Sequence, residues 1–199
     1  MKTIPYEKIS QMKNMHLPRF RLIFSVAFFK ILGMENAVYF IDTYDSPLGE
    51  LTLCATTDAL VGLWFCGQKY FRAGVPDNAA RNANLSVFNI TKQWLDEYFA
   101  GARPDASRIP LNPRGTEFQR AVWHELRKIP YGTTTTYGDI AARMGRGTSP
   151  RAVGGAVGRN PVSIIIPCHR VLGANGKLVG YAGGLDIKNK LLWAEGVNL

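Results

Sequence analysis

A proline-rich segment, residues 104–113, divides the 199-residue chain at the point where its charge changes sign. Residues 34–110 carry six basic and nine acidic side chains, whereas residues 111–199 carry twelve basic and five acidic ones. A chain of this length suits one medium domain or two small domains that share an interface. We therefore predict a small α+β unit over residues 34–107 and a second unit over residues 111–199.

The uneven charge bears on the kind of partner. The net charge is +9, with 46% hydrophobic and 20% charged residues, a composition that is typical of globular proteins and argues against disorder. The basic C-terminal half favours a polyanionic partner that meets this part of the chain. A basic surface that serves only solubility explains the same charge equally well.

Residues 1–33 match neither unit. Residues 22–32 form an apolar run behind a basic stretch, like the core of a signal peptide, but they contain Lys30 and are too short to cross a bilayer. No convincing cleavage site of small residues follows them. Three interpretations stay open: a start site misplaced upstream of Met34, which we favour, a weak signal or anchor, or an additional packing helix.

Cysteine and histidine are sparse and scattered. The odd number of cysteines, without a close pair, fits neither a disulfide scaffold nor a cysteine-rich zinc site, and it favours a reducing cytoplasm. The histidines show no metal-ligand spacing either, so we expect no metal. These residues are Cys54, Cys66 and Cys168, and His16, His124 and His169.

The first unit has the pattern of antiparallel strands followed by a helix. Residues 36–65 are rich in β-forming residues, with a turn at 45–49, alternating apolar positions at 51, 53 and 55, and a further strand at 60–65. Cys54 and Cys66 lie in this strand-like sequence and are expected to be small hydrophobic residues. Residues 86–100 predict a helix with Ser86 as N-cap and Gly101 as C-cap. Its inner face is expected to carry Ile90, Trp94, Leu95 and Tyr98.

Three helix starts can be located in the second unit. Thr116 and Gln119 form a capping-box pattern, Thr136 can cap the next helix, and Ser149 followed by Pro150 can begin a third. The last two helices, joined by a short glycine-containing turn, are typical of a helix-turn-helix, whose second helix usually contacts DNA.

The last of these helices, residues 150–157, is unusual because Gly154 and Gly155 lie inside it. Each glycine costs about 1 kcal/mol relative to alanine in a helix interior. Two explanations remain open. Either the glycines allow tight packing against another helix, or they allow a DNA backbone or groove wall to approach closely.

Cys168 and His169 follow an apolar run, residues 163–167, that predicts a short buried strand. A cysteine followed by histidine is a candidate nucleophile with its base. The base is needed because only a few per cent of an ordinary thiol is ionised at neutral pH. Adjacent side chains on an extended chain point apart, so His169 would act through a bridging water unless the backbone turns. A buried, inert cysteine beside a structural histidine is the alternative.

An ordered set of motifs surrounds this pair. The segment Pro167-Cys-His-Arg-Val171 is preceded by Arg151-Ala-Val-Gly-Gly-Ala and Asn160-Pro-Val, and it is followed by Gly180-Tyr-Ala-Gly-Gly-Leu and Glu195-Gly. Over residues 115–196, and more loosely over 36–65, the chain resembles the O6-alkylguanine-DNA alkyltransferase family. The resemblance implies a ribonuclease H-like antiparallel sheet domain, followed by a mainly helical domain with a helix-turn-helix.

The resemblance also implies roles for individual residues. Cys168 would accept the alkyl group, His169 would take the thiol proton through a water, and Glu195 would orient the imidazole. Tyr137 would donate a hydrogen bond to N3 of the departing guanine, and Asn160 would tie the helix-turn-helix to the active-site segment.

DNA would be contacted by the glycine-rich helix, in the minor groove rather than the major groove. Arg151 would fill the space left by the flipped nucleotide, beside Ala152, Gly154 and Gly155. The guanine pocket would be lined by Val171, Tyr181, Ala182 and Gly183.

Two positions depart from the family pattern. Ala182 stands where some members have serine, so one hydroxyl contact to the substrate oxygen would be absent. Lys190 replaces a tryptophan that is frequent in the last helix, which would loosen packing near Glu195.

The resemblance implies single-turnover transfer of an alkyl group from O6-alkylguanine, and less so O4-alkylthymine, to Cys168. The partner would be double-stranded DNA that contains the lesion. We expect no cofactor, no metal and no membrane association, and a monomer in the cytoplasm. The alternatives are a non-catalytic protein that binds alkyl lesions, a helix-turn-helix regulator and a cysteine hydrolase.

Overall fold

The computed structural model describes residues 38–199, so the three interpretations of residues 1–33 lie outside the described part of the chain. Residues Tyr39–Leu199 form one compact unit. It begins with a four-stranded sheet in the order β3-β2-β1-β4. The strands are β1 (Phe40–Ser46), β2 (Gly49–Ala55), β3 (Leu60–Phe65) and β4 (Ala80–Arg81). The first three are antiparallel, as expected, and β4 pairs in parallel with β1.

Strand β2 is buried on both faces from Leu51 to Ala55, so its alternating apolar positions do not correspond to one buried and one exposed face. Leu51 and Leu53 enter the main hydrophobic core, whereas Cys54 points into a smaller cluster with Trp64 on the other face. A sheet covered on both sides has no solvent-facing row, and β-forming residues then follow one another without a polar period.

Helix α1 (Ser86–Phe99) packs on the sheet through a stripe of buried residues. Ser86 is not its N-cap, because Leu85 holds that position without a side-chain hydrogen bond, and Ile90 is 39% exposed instead of facing inward. Gly101, at φ +84°, follows the C-cap Ala100 and ends the helix in the left-handed conformation that glycine allows. The buried stripe consists of Val87, Phe88, Thr91, Trp94, Leu95 and Tyr98.

The second half is mainly helical. Its helices are α2 (Glu117–Arg127), α3 (Tyr137–Met144), α4 (Pro150–Val157) and α5 (Leu185–Ala194), and the short strands β5 (Thr135–Thr136) and β6 (Val171–Leu172) pair in parallel. The mixed α+β class predicted from the sequence is therefore confirmed. None of the helices within residues 38–199 is both long enough and apolar enough to cross a membrane.

The predicted helix starts of this half are confirmed. Thr116 and Gln119 form a reciprocal capping box, and the side chains of Thr136 and Ser149 accept hydrogen bonds from the third residue of α3 and α4 respectively. Pro150 occupies the first helical position of α4. These local bonds satisfy backbone donors that would otherwise lie unpaired at each helix start.

Residues 160–170, which lie between α4 and β6, are buried throughout, but the strand predicted over residues 163–167 is a series of turns. Backbone bonds join this segment to strand β3: Leu63 N donates to Pro161 O, and Ser163 N donates to Leu63 O, both at 2.8 Å. Ile164 takes a positive φ of 68°, which is rare for a β-branched residue. The turns limit pairing with β3 to a single parallel bridge between Leu63 and Val162, and they lead into a short 3₁₀ helix at residues 168–170.

Candidate active site

Cys168 begins this 3₁₀ helix, and its side chain lies inside the main hydrophobic core with 5% of the residue exposed. Burial raises the pKa of the Cys168 thiol, because the thiolate loses its hydration. Hydrogen bonding from Asn160 and the charge of Lys188 act in the opposite direction. The chain therefore places a thiol where ionisation requires specific help, and it supplies groups that can give that help.

Asn160 contacts both the sulfur and the buried turn segment. Its Nδ2 donates to Ile166 O at 2.8 Å, to Cys168 Sγ at 3.1 Å and to Val162 O at 3.2 Å, and its Oδ1 accepts from Val162 N at 3.0 Å. The amide has two N–H bonds for three acceptors. A thiolate is the strongest acceptor of the three, so ionisation of Cys168 would draw an N–H bond toward the sulfur.

His169 is fully buried and paired with Glu195. Its Nε2 lies 2.8 Å from Glu195 Oε1, and its Nδ1 has no hydrogen-bond partner among the described protein atoms. The carboxylate favours the tautomer that carries hydrogen on Nε2, which leaves a lone pair on Nδ1. Burial lowers the pKa of His169 although Glu195 opposes this shift, so the imidazole is neutral at physiological pH and can accept a proton.

Glu195 occupies the C-cap of α5, and it is 4% exposed. Beside His169, its carboxylate accepts from Tyr98 Oη at 2.8 Å, from Arg170 Nε at 2.8 Å and Nη2 at 2.9 Å, and from Gly132 N at 3.2 Å. Burial alone would raise the pKa of Glu195. The hydrogen bonds from His169 and Arg170 outweigh burial and hold this pKa far below its usual range, so Glu195 is ionised.

Three residues of this centre have no role that the sequence indicates. Arg170 belongs to the Pro167–Val171 motif. Only the structure shows that it forms an ion pair with Glu195 and also donates to Ile129 O at 2.6 Å. Tyr98 was expected only on the inner face of α1. Lys188 is fully buried, its Nζ donates to Val171 O and Val179 O at 2.6 Å, and burial lowers its pKa to about 8.

A surface cavity of about 370 Å³ lies beside this centre. Tyr137, the first residue of α3, and the predicted pocket residues Tyr181 and Ala182 line it. Burial and then the nearby Cys168 raise the pKa of Tyr137, so its hydroxyl remains a donor. Val171 and Gly183 do not line this cavity. The full lining is Lys69, Tyr70, Tyr137, Gly154, Gly155, Gly158, Arg159, Gly180, Tyr181 and Ala182.

The other two residues predicted for the guanine pocket, Val171 and Gly183, lie close to this cavity. Val171 is buried in β6, where its carbonyl accepts from Lys188, and a Cβ on Gly183 would lie 2.9 Å from the Tyr181 ring. Ala182 O accepts from Lys69 N at 3.0 Å, which fastens this loop to the sheet-containing half. Lys190, one of the two departures, lies exposed on α5.

Helix α4 presents Arg151 and Ala152 to solvent, while Val153 points into the core. A Cβ on Gly154 would meet the Tyr137 ring at an ordinary 3.7 Å, and one on Gly155 would meet only Arg159 Nη1, at 3.9 Å. Tight packing against another helix therefore does not require these glycines. Close approach of DNA to these two glycines stays a prediction.

Other reactive residues lie apart from this centre. Cys54 is buried in β2 as a small hydrophobic residue, as expected. Cys66 is exposed and follows the end of β3, so the same expectation is wrong for Cys66. Within the described part of the chain, no three His, Cys, Asp or Glu side chains come together in a way that could hold a metal ion.

Comparison with known families covers both halves of the described chain. Residues 117–197 match the family described as 6-O-methylguanine DNA methyltransferase, DNA binding domain. Residues 40–113 match 6-O-methylguanine DNA methyltransferase, ribonuclease-like domain. The ribonuclease-like character expected for the first half is therefore confirmed.

Individual relatives agree with this result. The methylated-DNA--protein-cysteine methyltransferase of Methanosarcina acetivorans is 46% identical over 153 residues, which cover 77% of this chain and 96% of that protein. The protein of the same name from Haemophilus influenzae is 42% identical over 153 residues, covering 76% and 83%. The crystal structure of Mycobacterium tuberculosis OGT in complex with DNA has a TM-score of 0.69 at 42% identity, covering 79% of this chain and 91% of that one. The chain belongs to the 6-O-methylguanine DNA methyltransferase family.

Proposed function

We propose that this protein repairs duplex DNA by moving an alkyl group from O6 of guanine, and less so from O4 of thymine, onto Cys168. The transfer is direct and irreversible, and each molecule acts once. The observation that carries the proposal is the buried Cys168 thiol, which accepts a hydrogen bond from Asn160 and is followed in the chain by a neutral histidine held by an ionised glutamate.

The reaction begins with proton transfer. The Cys168 thiol gives its proton through a water molecule to Nδ1 of His169, the ring nitrogen that has its lone pair available. Glu195 balances the resulting imidazolium, since it is ionised and lies 2.8 Å from Nε2. The Nδ2–H of Asn160 stabilises the thiolate. This division of work among nucleophile, base and orienting carboxylate is that of a catalytic triad.

Alkyl transfer then follows in one displacement. The sulfur attacks the alkyl carbon, the carbon–oxygen bond breaks, and its electron pair leaves with the guanine. Tyr137 donates to N3 of the purine and so stabilises the negative charge of the leaving group. The products are unmodified guanine and a thioether on Cys168. The chain supplies nucleophile, base and donor, so the reaction uses no cofactor.

DNA is bound through α4, with Arg151 in the space left by the flipped nucleotide and Ala152 facing the groove. Gly154 and Gly155 let the minor groove approach, which is supported by their lack of close neighbours inside the protein. Tyr181, Ala182, Gly183 and Val171 form the guanine pocket. Because residue 182 has no hydroxyl, its backbone amide is the donor to the substrate oxygen.

The protein acts as a monomer in the cytoplasm, where a reducing environment keeps Cys168 as a free thiol. It consists of a sheet domain over residues 34–107 and a DNA-binding domain over 111–199. The boundaries of the two matched family regions, 40–113 and 117–197, support this division. Light scattering of the purified protein would test the monomer, and limited proteolysis would test the boundary.

The function is tested by a burst experiment with duplex DNA that carries labelled O6-methylguanine. The amount of label transferred should equal the amount of protein and then stop. Cys168→Ser should transfer nothing and still bind DNA, because a serine hydroxyl stays protonated and the phosphate contacts do not involve the sulfur. Cys66→Ser is the matched control and should behave as wild type. Continued turnover would indicate a hydrolase, and lesion binding without transfer would indicate a non-catalytic binding protein.

A further inference from the structure

A side chain from the sheet-containing half reaches the carboxylate behind His169. Tyr98, in the last turn of α1, lies 97 residues before Glu195, and its hydroxyl donates to Glu195 Oε1 at 2.8 Å. Its ring is stacked on Trp94 at 5.3 Å between centroids and meets Tyr131 edge-on at 6.0 Å. The residue is 2% exposed. Packing on both sides fixes the direction in which this hydroxyl points.

Tyr98 and His169 both form a hydrogen bond with the same oxygen, Glu195 Oε1. Glu195 Oε1 also lies 2.8 Å from His169 Nε2 and accepts from Arg170 Nη2 at 2.9 Å. Donors that share one oxygen each withdraw negative charge from it, so each weakens the bond to the others. The attraction between Glu195 and the Nε2 hydrogen therefore depends on the Tyr98 hydroxyl.

This dependence matters because His169 must be neutral before it meets the substrate. A carboxylate with its full charge on Oε1 would raise the proton affinity of the imidazole. An imidazole that already carries two protons cannot take the proton of the thiol. Burial, and then the charge of Glu195, hold the pKa of Tyr98 far above its usual range, so Tyr98 remains a donor wherever the reaction runs.

We propose that Tyr98 is a positioning residue for alkyl transfer: its hydroxyl limits the pull of Glu195 on the His169 proton and keeps His169 available as the base. The sheet-containing half then takes part in thiol activation, through α1, in addition to supporting the fold. This inference rests on the proposed function, since it concerns the same base.

The test compares wild type with Tyr98→Phe, which removes one oxygen and keeps the ring. At neutral pH, without DNA, the NMR signal of the His169 Nε2 proton should move downfield because Oε1 becomes a better acceptor. In single-turnover transfer, the acid limb of the rate profile should move to higher pH by about half a unit to one unit. Above that limb the rate should stay within about twofold of wild type.

Two control variants remove a tyrosine hydroxyl elsewhere. Tyr44→Phe deletes a bond to Asp96 Oδ1 that has the same 2.8 Å length but lies at the surface. Tyr131→Phe deletes a bond to Ala194 O, the residue before Glu195. Neither variant should move the Nε2 proton or the acid limb.

Superimposable spectra and rate profiles for Tyr98→Phe would overturn the proposal. A rate that falls by the same factor at every pH, with an unmoved Nε2 proton, would also overturn it and would leave Tyr98 a purely structural role. The Nε2 signal is recorded without substrate, so it decides the role of Tyr98 separately from the function. Wild-type protein that transfers no alkyl group to Cys168 would contradict the proposed function instead.

Discussion

Removing the amide of Asn160 should slow alkyl transfer in a way that depends on pH. In Asn160→Ala the sulfur loses the Nδ2–H donor that lies 3.1 Å away, while His169 and Glu195 are unchanged. The loss acts mainly on the thiolate, since hydrogen bonds strengthen when the acceptor carries charge. The pKa of Cys168, which burial already raises, should therefore rise further in the variant.

The size of the effect follows from the bond that is lost. A hydrogen bond to a charged group contributes about 1.5–3 kcal/mol, and each 1.36 kcal/mol corresponds to a factor of ten. The single-turnover rate near neutral pH should therefore fall on the order of 10- to 100-fold. Loss of the bonds to Ile166 O and from Val162 N should also lower the free energy of unfolding by roughly 2–4 kcal/mol, because buried backbone groups are left unpaired.

The assay is single-turnover transfer from labelled duplex DNA between about pH 7 and pH 10, at a temperature where the variant is folded. The deficit should narrow as the pH rises, since hydroxide then ionises the thiol without the help of Asn160. Gln68→Ala is a matched control: the Gln68 side chain is a buried amide that accepts from Ser163 Oγ at 3.1 Å and does not contact the sulfur. A deficit that stays constant across the pH range, or that Gln68→Ala reproduces, would show that Asn160 does not act through the ionisation of Cys168.

Two further substitutions test the role of Arg151 in DNA binding and the contribution of Glu195 to stability. Arg151→Ala should lower the rate of repair of duplex DNA by about tenfold or more, which corresponds to the loss of one DNA contact. The rate of reaction with free O6-alkylated guanine should not fall in this way, because a free base needs no flipping. Equal losses on both substrates would remove this role. Glu195→Gln should lower the unfolding free energy most above about pH 5, where the ordinary carboxylate of the unfolded chain is ionised. The pKa of Glu195 is lowered in the folded state, so the stability that its carboxylate contributes is lost as the pH falls toward that pKa. Urea titrations at pH 7 and pH 3 should therefore show that the difference in unfolding free energy between wild type and variant is smaller at pH 3.

Local signals in the sequence predict the helix starts of the second half. The caps Thr116, Thr136 and Ser149 act within three residues of themselves, so the helix starts could be read directly and are confirmed. The segment 163–167 was predicted as a strand because a run of β-branched residues also fits a buried turn, and only the contacts with β3 decide between the two.

In the candidate site, too, some residues could be predicted from the sequence and others only from the structure. The resemblance implies a site of Cys168, His169, Asn160 and Glu195. The structure shows two hydrogen-bonded pairs among these side chains, Asn160 with Cys168 and His169 with Glu195. Tyr98 could not be found from the sequence, since nothing near it indicates a partner 97 residues away. Lys188 carried a readable signal. It shares the inner face of α5 with Leu191 and Leu192, at helical spacing, where a charged residue is rarely tolerated without a role.

We propose that Cys168 is the permanent acceptor of the alkyl group. Mass spectrometry of protease-digested protein, after reaction with an excess of O6-methylguanine DNA, identifies the residue that carries the methyl group. The peptide containing Cys168 should gain one methyl group in every molecule, while the peptides containing Cys54 and Cys66 should remain unchanged. A methyl group on another residue, or an unmodified Cys168 beside repaired DNA, would contradict this proposal.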